Sequence, residues 1–128
     1  QMAERARIAV QSGGLFHSVY VHDGYDLLPV LNGHHGNKDA ALALIALGDL
    51  SQVKMFHGGS VPMPGHTFRD PKPNFTVAYH RDRGETFRQA ALTNLRGLLE
   101  LCSDSDADFL YIFEEGTGRW AKMVRNNW

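Results

Sequence analysis

The chain has a single cysteine in 128 residues, Cys102. That excludes an internal disulfide and any zinc site built on several cysteines, and it fits a reducing compartment. Its place late in an apolar helical pattern reads as a buried thiol rather than a nucleophile. An excess of one charge is lacking too: 13 basic residues stand against 14 acidic ones, a formal net charge of -1. Binding of long nucleic acid through bulk positive charge is thereby excluded, so any anion site must be local. The longest apolar run, Ala40 to Leu47, is far too short for a bilayer, so no membrane partner is expected. The first residues lack the charged, apolar and small succession of a secretory leader, and Gln1 ahead of Met2 reads as the remnant of a cut tag.

Catalytic templates are missing as well. There is no Gly-x-Ser-x-Gly elbow, no phosphate-binding P-loop, no Gly-x-Gly-x-x-Gly and no His-Glu-x-x-His. His66-Thr67-Phe68 has the wrong spacing for a two-histidine phosphodiesterase. Histidines occur at 17, 22, 34, 35, 57, 66 and 80, but not at ligand spacing: His17 and His22 fall on opposite faces of a strand, and His34 and His35 are adjacent. Asp104, Asp106 and Asp108 alternate without the glycine and terminal glutamate of a calcium loop, and read as a solvated connector. Neither a metal nor a cofactor is expected.

What is present is an ordinary globule, 43% hydrophobic and 21% charged. One domain of this length buries roughly two thirds of its unfolded surface. Residues 5 to 10 alternate as a half-buried strand, Ser12-Gly13-Gly14 turns, and residues 16 to 22 are a second strand rich in β-formers. A short helix is expected over Tyr25 to Leu31, then one from Lys38 to Leu47 capped by Asn37 and stopped by Gly48. The second is apolar almost all round, which requires cover on two sides, from its own subunit or from a second one. Val53 to Phe56 reads as a strand, 57 to 74 as a long proline-rich loop, and Phe75 to His80 as a strand. Apolar residues at 87, 91, 95, 98 and 102 predict one long helix over 85 to 102, and 109 to 113 with 119 to 124 form a closing hairpin. The expected fold is α+β: an antiparallel sheet of about five or six strands, one long helix packed on it, and two short helices inserted after the first hairpin.

The candidate site is where the expected strand runs into the expected long helix, at His80-Arg81-Asp82-Arg83-Gly84-Glu85. Arg81, Arg83 and the amides near Gly84 would hold a phosphate or carboxylate at a helix start, since the planar guanidinium takes two oxygens at once. The competing reading is a capping box from Asp82 to Glu85, with both arginines solvated. Arg5, Arg7 and Arg69 are further candidates, and His66 and His80 would act as neutral hydrogen-bond donors. Tyr25 or Tyr79 would offer the stacking face a nucleobase needs.

Four blocks carry a resemblance: Arg5-Ala-Arg-Ile-Ala9, Val19-Tyr-Val-His-Asp-Gly-Tyr25, Leu44-Ile-Ala-Leu-Gly-Asp-Leu-Ser51 and Val77-Ala-Tyr-His-Arg-Asp-Arg-Gly-Glu85, closed by a Tyr111-Ile-Phe…Gly118-Arg-Trp hairpin. In that order they resemble a widespread family of small tailed-bacteriophage proteins. Its members usually read Ser-Arg-Ile-Gly, His-Trp-Asp-Gly-Tyr, Leu-Gly-Asp-Leu-Ser and Arg-Asp-Arg-Gly-Glu. This chain lacks the tryptophan between His22 and Asp23, and has Ala9 where glycine is usual. The resemblance implies a phage accessory protein working in the cytoplasm of the infected host. It is compatible with a counter-defence sponge that sequesters a cyclic nucleotide or ADP-ribose-derived signal, as in Thoeris or CBASS immunity, as a homodimer or larger oligomer. The alternatives are a protein-binding inhibitor, docking through the 40-to-47 helix or the proline-rich loop, and a small hydrolase of the same signals using His66 or His80.

Overall fold

Alternating and β-branched residues on either side of Gly13 and Gly14 build the central hairpin of the sheet. In the computed structural model, which describes residues 4–128, β1 (Ala6–Ser12) and β2 (Leu15–Asp23) pair antiparallel from Ala6↔Val21 to Ser12↔Leu15. The expected tag remnant at Gln1 lies outside the described residues. The other strands are β3 (Leu50–Gln52), β4 (Val77–Ala78), β5 (Ala91–Thr93), β6 (Phe109–Glu114) and β7 (Arg119–Val124). They make a seven-stranded sheet in the order β4-β3-β2-β1-β6-β7, with β5 laid against β2.

The α+β class holds, but the sheet is mixed rather than antiparallel throughout. β1 pairs parallel with β6, and β2 parallel with β3. Parallel neighbours need a crossover, and helices supply both. Helices α1 (Leu28–His34) and α2 (Lys38–Ile45) carry the chain from β2 to β3, and α4 (Leu95–Asp104) carries it from β5 to β6. The crossovers leave helices on both faces of the sheet. Ile8, Val10, Val19 and Val21 pack with Leu31, Ala41 and Leu44; Ala9, Phe16 and Leu110 pack with Leu98 and Cys102. β1 is therefore covered on both faces, not half-buried.

Asn37 caps α2 as expected, its Oδ1 accepting the Ala40 amide at 2.8 Å. Leu42 on the outer side is 36% exposed, so the subunit covers only one side of this helix. α1 begins with Pro29 in its first turn and runs on to His34. Within it the Asn32 amide is engaged with β7: Nδ2 donates to the Trp120 carbonyl and Oδ1 accepts from the Trp120 amide. Among the described residues no helix is long and apolar enough to cross a membrane.

Two strand expectations shift. The strand placed at Val53 to Phe56 forms at Leu50–Gln52, and Phe56 keeps only an isolated bridge to Phe75. Of the strand expected at Phe75 to His80, only Val77–Ala78 forms, and α3 (Tyr79–Arg83) follows at once. The long helix over 85 to 102 is also corrected. Gly84 closes α3 in the left-handed region at φ 74°, and residues 85 to 90 are irregular and largely exposed. Ala91–Thr93 then pairs with Phe16, His17 and Ser18, so the open edge of β2 captures a segment whose apolar spacing had signalled helix. The helix itself starts later, where Asn94 accepts the Gly97 amide at 2.9 Å.

The turn after β2 is bound to the sheet by two contacts. The Tyr111 hydroxyl, fully buried, donates to the Gly24 carbonyl at 2.8 Å and accepts the Leu27 amide at 3.1 Å. Gly24 lies so close to β1 that a Cβ there would stand 2.3 Å from Ala6 Cβ and 2.9 Å from the Ala6 amide nitrogen. Backbone atoms cannot step aside as a flexible side chain does. Gly24→Ala is expected to cost about 1–3 kcal/mol, read from the urea midpoint, and an unchanged midpoint would refute this close contact.

Candidate functional site

The Arg81-Asp82-Arg83 motif divides into a buried half and an exposed half. Arg81 and Asp82 side chains are 1% and 0% exposed, and their ion pair closes at 2.8 Å. A guanidinium has five N–H donors. In Arg81, Nε and one terminal nitrogen donate to Asp82, and the terminal nitrogens also reach the carbonyls of His57, Gly59 and Thr76. Asp82 in turn accepts the Ala78 amide at 2.8 Å and His66 Nε2 at 3.2 Å. The Lys72 amide donates to His66 Nδ1, so the proton on this ring sits on Nε2. Burial works to raise the Asp82 carboxyl, but the Arg81 and Ala78 hydrogen bonds and the Arg81 charge outweigh it and hold it below its usual range.

This cluster is a clamp. It ties the proline-rich loop, through residues 57, 59, 66 and 72, to the sheet at 76 to 82. It leaves Arg81 without a donor for a phosphate and His66 without a free nitrogen for acid-base work. Arg83 goes the other way. It pairs with Glu85 and lies over the rings of Phe68 and Tyr79 at 4.2 and 4.9 Å. Residues 85 to 90 are not helical, so the anticipated helix-start seat at Gly84, with two converging arginines, is not formed.

The remaining candidates are scattered. Arg5 pairs with Asp106 at 3.4 Å, and Arg69 is exposed on the loop. Tyr25 is 63% exposed, its edge toward Phe109. His35, unassigned from sequence, is buried and donates Nε2–H to the Lys54 carbonyl at 2.8 Å; burial lowers its pKa. Among the described residues no group of three or more His, Cys, Asp or Glu is placed to hold a metal ion.

Three candidates do meet, at a notch in the sheet. Along one edge of β2, β5 covers residues 16 to 18 and β3 joins at Val21. Between them the partner changes, and the Tyr20 amide is taken instead by Asp49 Oδ1 at 3.0 Å. Two hollows open there and share Tyr20, Asp49 and Arg88. One, about 200 Å³, adds Tyr79, His80 and Glu85. The other, about 400 Å³, adds Arg7, Ser18 and Gln89, and is closed by Leu101 and Ser105 of α4. A sheet edge where neighbouring strands diverge is a common seat for ligands.

Arg7 forms the floor. Register places it opposite Tyr20 and therefore on the same face, toward α4. It is 7% exposed, and among the described residues all its hydrogen bonds go to Ser18: Nε and one terminal nitrogen to Oγ at 3.2 and 3.0 Å, the same terminal nitrogen to the carbonyl at 3.2 Å. Among those residues it has no carboxylate within 4.0 Å. Burial lowers its pKa and the Asp49 charge opposes this, so it remains a cation. Buried arginines are ordinarily paired. Here the second terminal nitrogen has no partner among the described residues, beside a hollow.

The walls carry rings and mobile charge. Burial raises the hydroxyl pKa of Tyr20, and burial, then Tyr20, raises that of Tyr79, so both rings are neutral. Arg88 is 82% exposed along its side chain and only 3.6 Å from Asp49, a pair worth at most about 1 kcal/mol and easily exchanged for a ligand. His80 Nδ1–H donates to the Glu85 carbonyl at 2.6 Å. Tyr20, Asp49, Arg88 and Ser18 are the residues that sequence reasoning missed. A signal was there in Gly48-Asp49: Gly48 has φ +81°, and a Cβ on it would come within 3.0 Å of the Arg88 carbonyl, so the glycine lets the 85-to-90 segment lie against the notch.

No protein-family model, no curated protein and no solved structure matches this chain.

Proposed function

We propose that the chain is a phage accessory protein that captures a nucleotide-type signal, cyclic or ADP-ribose-derived, in the infected host, and acts by holding it rather than turning it over. The observation that carries this reading is Arg7, a nine-tenths-buried cation whose side-chain hydrogen bonds among the described residues all go to Ser18, beside a hollow that shares Tyr20 with a second hollow lined by Tyr79. Among those residues its second terminal nitrogen is unpaired and still reached by solvent, and a phosphate suits it through charge-assisted hydrogen bonds. The rings of Tyr20 and Tyr79 supply apolar faces for a base, worth roughly 1–3 kcal/mol each when stacked. The site therefore moves from Arg81 and Arg83 to Arg7 and Arg88, with Tyr79 and His80 retained. His66 is locked in the clamp, which weighs against hydrolysis by that residue.

Calorimetry and thermal shift against cyclic dinucleotides, ADP-ribose and its cyclic isomers test the reading, with inorganic phosphate as reference. Ligand at a hundred times its dissociation constant is expected to add about 2.7 kcal/mol of stability. Absence of stabilisation across the panel would remove the proposal. Chromatography of the recovered ligand should return it intact; new peaks would mean catalysis.

A second reading, docking on a protein or on another copy, is favoured by one surface. Leu42 and Phe87, 36% and 47% exposed, line a hollow of about 340 Å³ with Ile45, Ala46 and Ala90. Sedimentation of the pure protein distinguishes self-association from a free face.

A further inference from the structure

The two hollows differ in what they offer a ligand, and the difference gives the ligand a direction. Asp49 and Arg88 border both, and the larger adds the buried cation Arg7. The smaller is rich in acceptors. Asp49 and Glu85 line it without Arg7, and the Glu85 carboxylate is held by Arg83, which leaves Asp49 as the open acceptor. Asp49 is fixed in this role. Its Oδ1 holds the Tyr20 amide at 3.0 Å, and its Oδ2 has only the loose contact to Arg88 at 3.6 Å.

An all-anionic ligand fits this arrangement poorly, because a phosphate beside Asp49 and Glu85 would be repelled. A ligand with an anion at one end and hydroxyl donors at the other fits throughout. We propose, resting on the nucleotide reading above, that the bound species is a ribonucleotide held with its phosphate at Arg7 and a ribose hydroxyl pair at Asp49. A fixed carboxylate takes a vicinal diol through two O–H···O bonds, the same chemistry by which an acidic residue selects a ribose 2′-hydroxyl in dinucleotide sites. A 2′-deoxy sugar leaves one carboxylate oxygen without its donor. Discrimination is steep where a site's polar group loses its partner.

The test titrates AMP and ADP-ribose, each beside its counterpart lacking the 2′-hydroxyl of every ribose, into the full chain by calorimetry, with cyclic di-AMP, which has no vicinal diol, as a further probe of nucleotide binding. At least one ribo form is expected to bind ten-fold or more tightly than its deoxy partner. In Asp49→Asn, which keeps the Oδ1 acceptor for the Tyr20 amide, that ratio should fall towards one. Equal binding of both sugars by the unsubstituted protein overturns the diol assignment and leaves the nucleotide reading standing. A ratio unchanged in Asp49→Asn overturns the role of Asp49. No binding by any member removes both proposals together.

Discussion

Asp82→Asn is expected to destabilise the protein by about 3–5 kcal/mol, although the substitution changes almost no volume. Among the described residues the carboxylate is the only countercharge at the Arg81 guanidinium, and both side chains are out of water. Removing the charge leaves a buried cation with carbonyls alone around it, and also weakens the hold on His66 and the Ala78 amide. A domain of this size commonly has about 5–15 kcal/mol in hand, so the variant stands near the edge of unfolding. Two residues from Arg81, Arg83→Ala provides the contrast. Its pair with Glu85 is half-exposed on both sides and its guanidinium lies over Phe68 and Tyr79, so a loss of about 1–2 kcal/mol is expected. Urea midpoints of the two variants measure the difference directly. Equal midpoints would mean that the clamp does not hold the loop.

The same carboxylate gives the stability a pH signature. Its folded pKa lies below the unfolded value, so the folded state binds the proton less readily than the unfolded state. The contribution is complete above the unfolded pKa, about 3.9, and drains away as pH falls through the lower folded value. The gap in urea midpoint between the parent protein and Asp82→Asn should be widest at pH 7 and pH 5 and smaller at pH 3. A gap that stays constant to pH 3 would contradict the assignment of the clamp to an ionised Asp82.

How much of this was legible from residues alone depended on the range of the interaction. Asn37, the Gly13-Gly14 turn and the 109-to-124 hairpin are governed by neighbours a few positions away, and each forms as read. The 85-to-102 helix failed because its first half found a sheet edge: Ala91, Leu92 and Thr93 pair with Ser18, His17 and Phe16, more than seventy residues earlier in the chain. The parallel pairings were hidden for a related reason, since strand direction is set by where the helical crossovers return the chain. At the site, Arg81 and Arg83 look equivalent in a sequence, both basic and both beside Asp82. What separates them is a set of carbonyls from His57, Gly59 and Thr76, which only the folded loop delivers. Arg7 was visible as one of several secondary candidates, but its companions Asp49 and Arg88 come from segments with no shared motif. They meet at the notch because β2 changes partner there.

Arg7→Met is expected to abolish nucleotide binding while leaving the free protein as stable as before, or more so. Two effects oppose each other in the free protein. Methionine gives up the hydrogen bonds to Ser18, each worth about 1 kcal/mol net, and leaves the Ser18 hydroxyl to find water in the hollow. Against that, it removes a buried charge that has no carboxylate within 4.0 Å among the described residues, and places a flexible apolar chain beside Ala9, Cys102 and Leu110 on the α4 face. Apolar replacement of buried ionic groups is commonly neutral or stabilising by about 1–4 kcal/mol, so the balance lies at zero or above. In the proposed complex the arginine's guanidinium would meet phosphate in the hollow, and its loss should weaken binding at least a hundred-fold. A residue kept for its ligand and a residue kept for the fold thus answer opposite ways to the same pair of measurements. Asp82 loses stability, whereas Arg7 loses affinity and keeps its melting temperature. If Arg7→Met melts as early as Asp82→Asn, or still binds the nucleotide that stabilises the parent protein, then Arg7 is a structural residue and the notch is not a phosphate site.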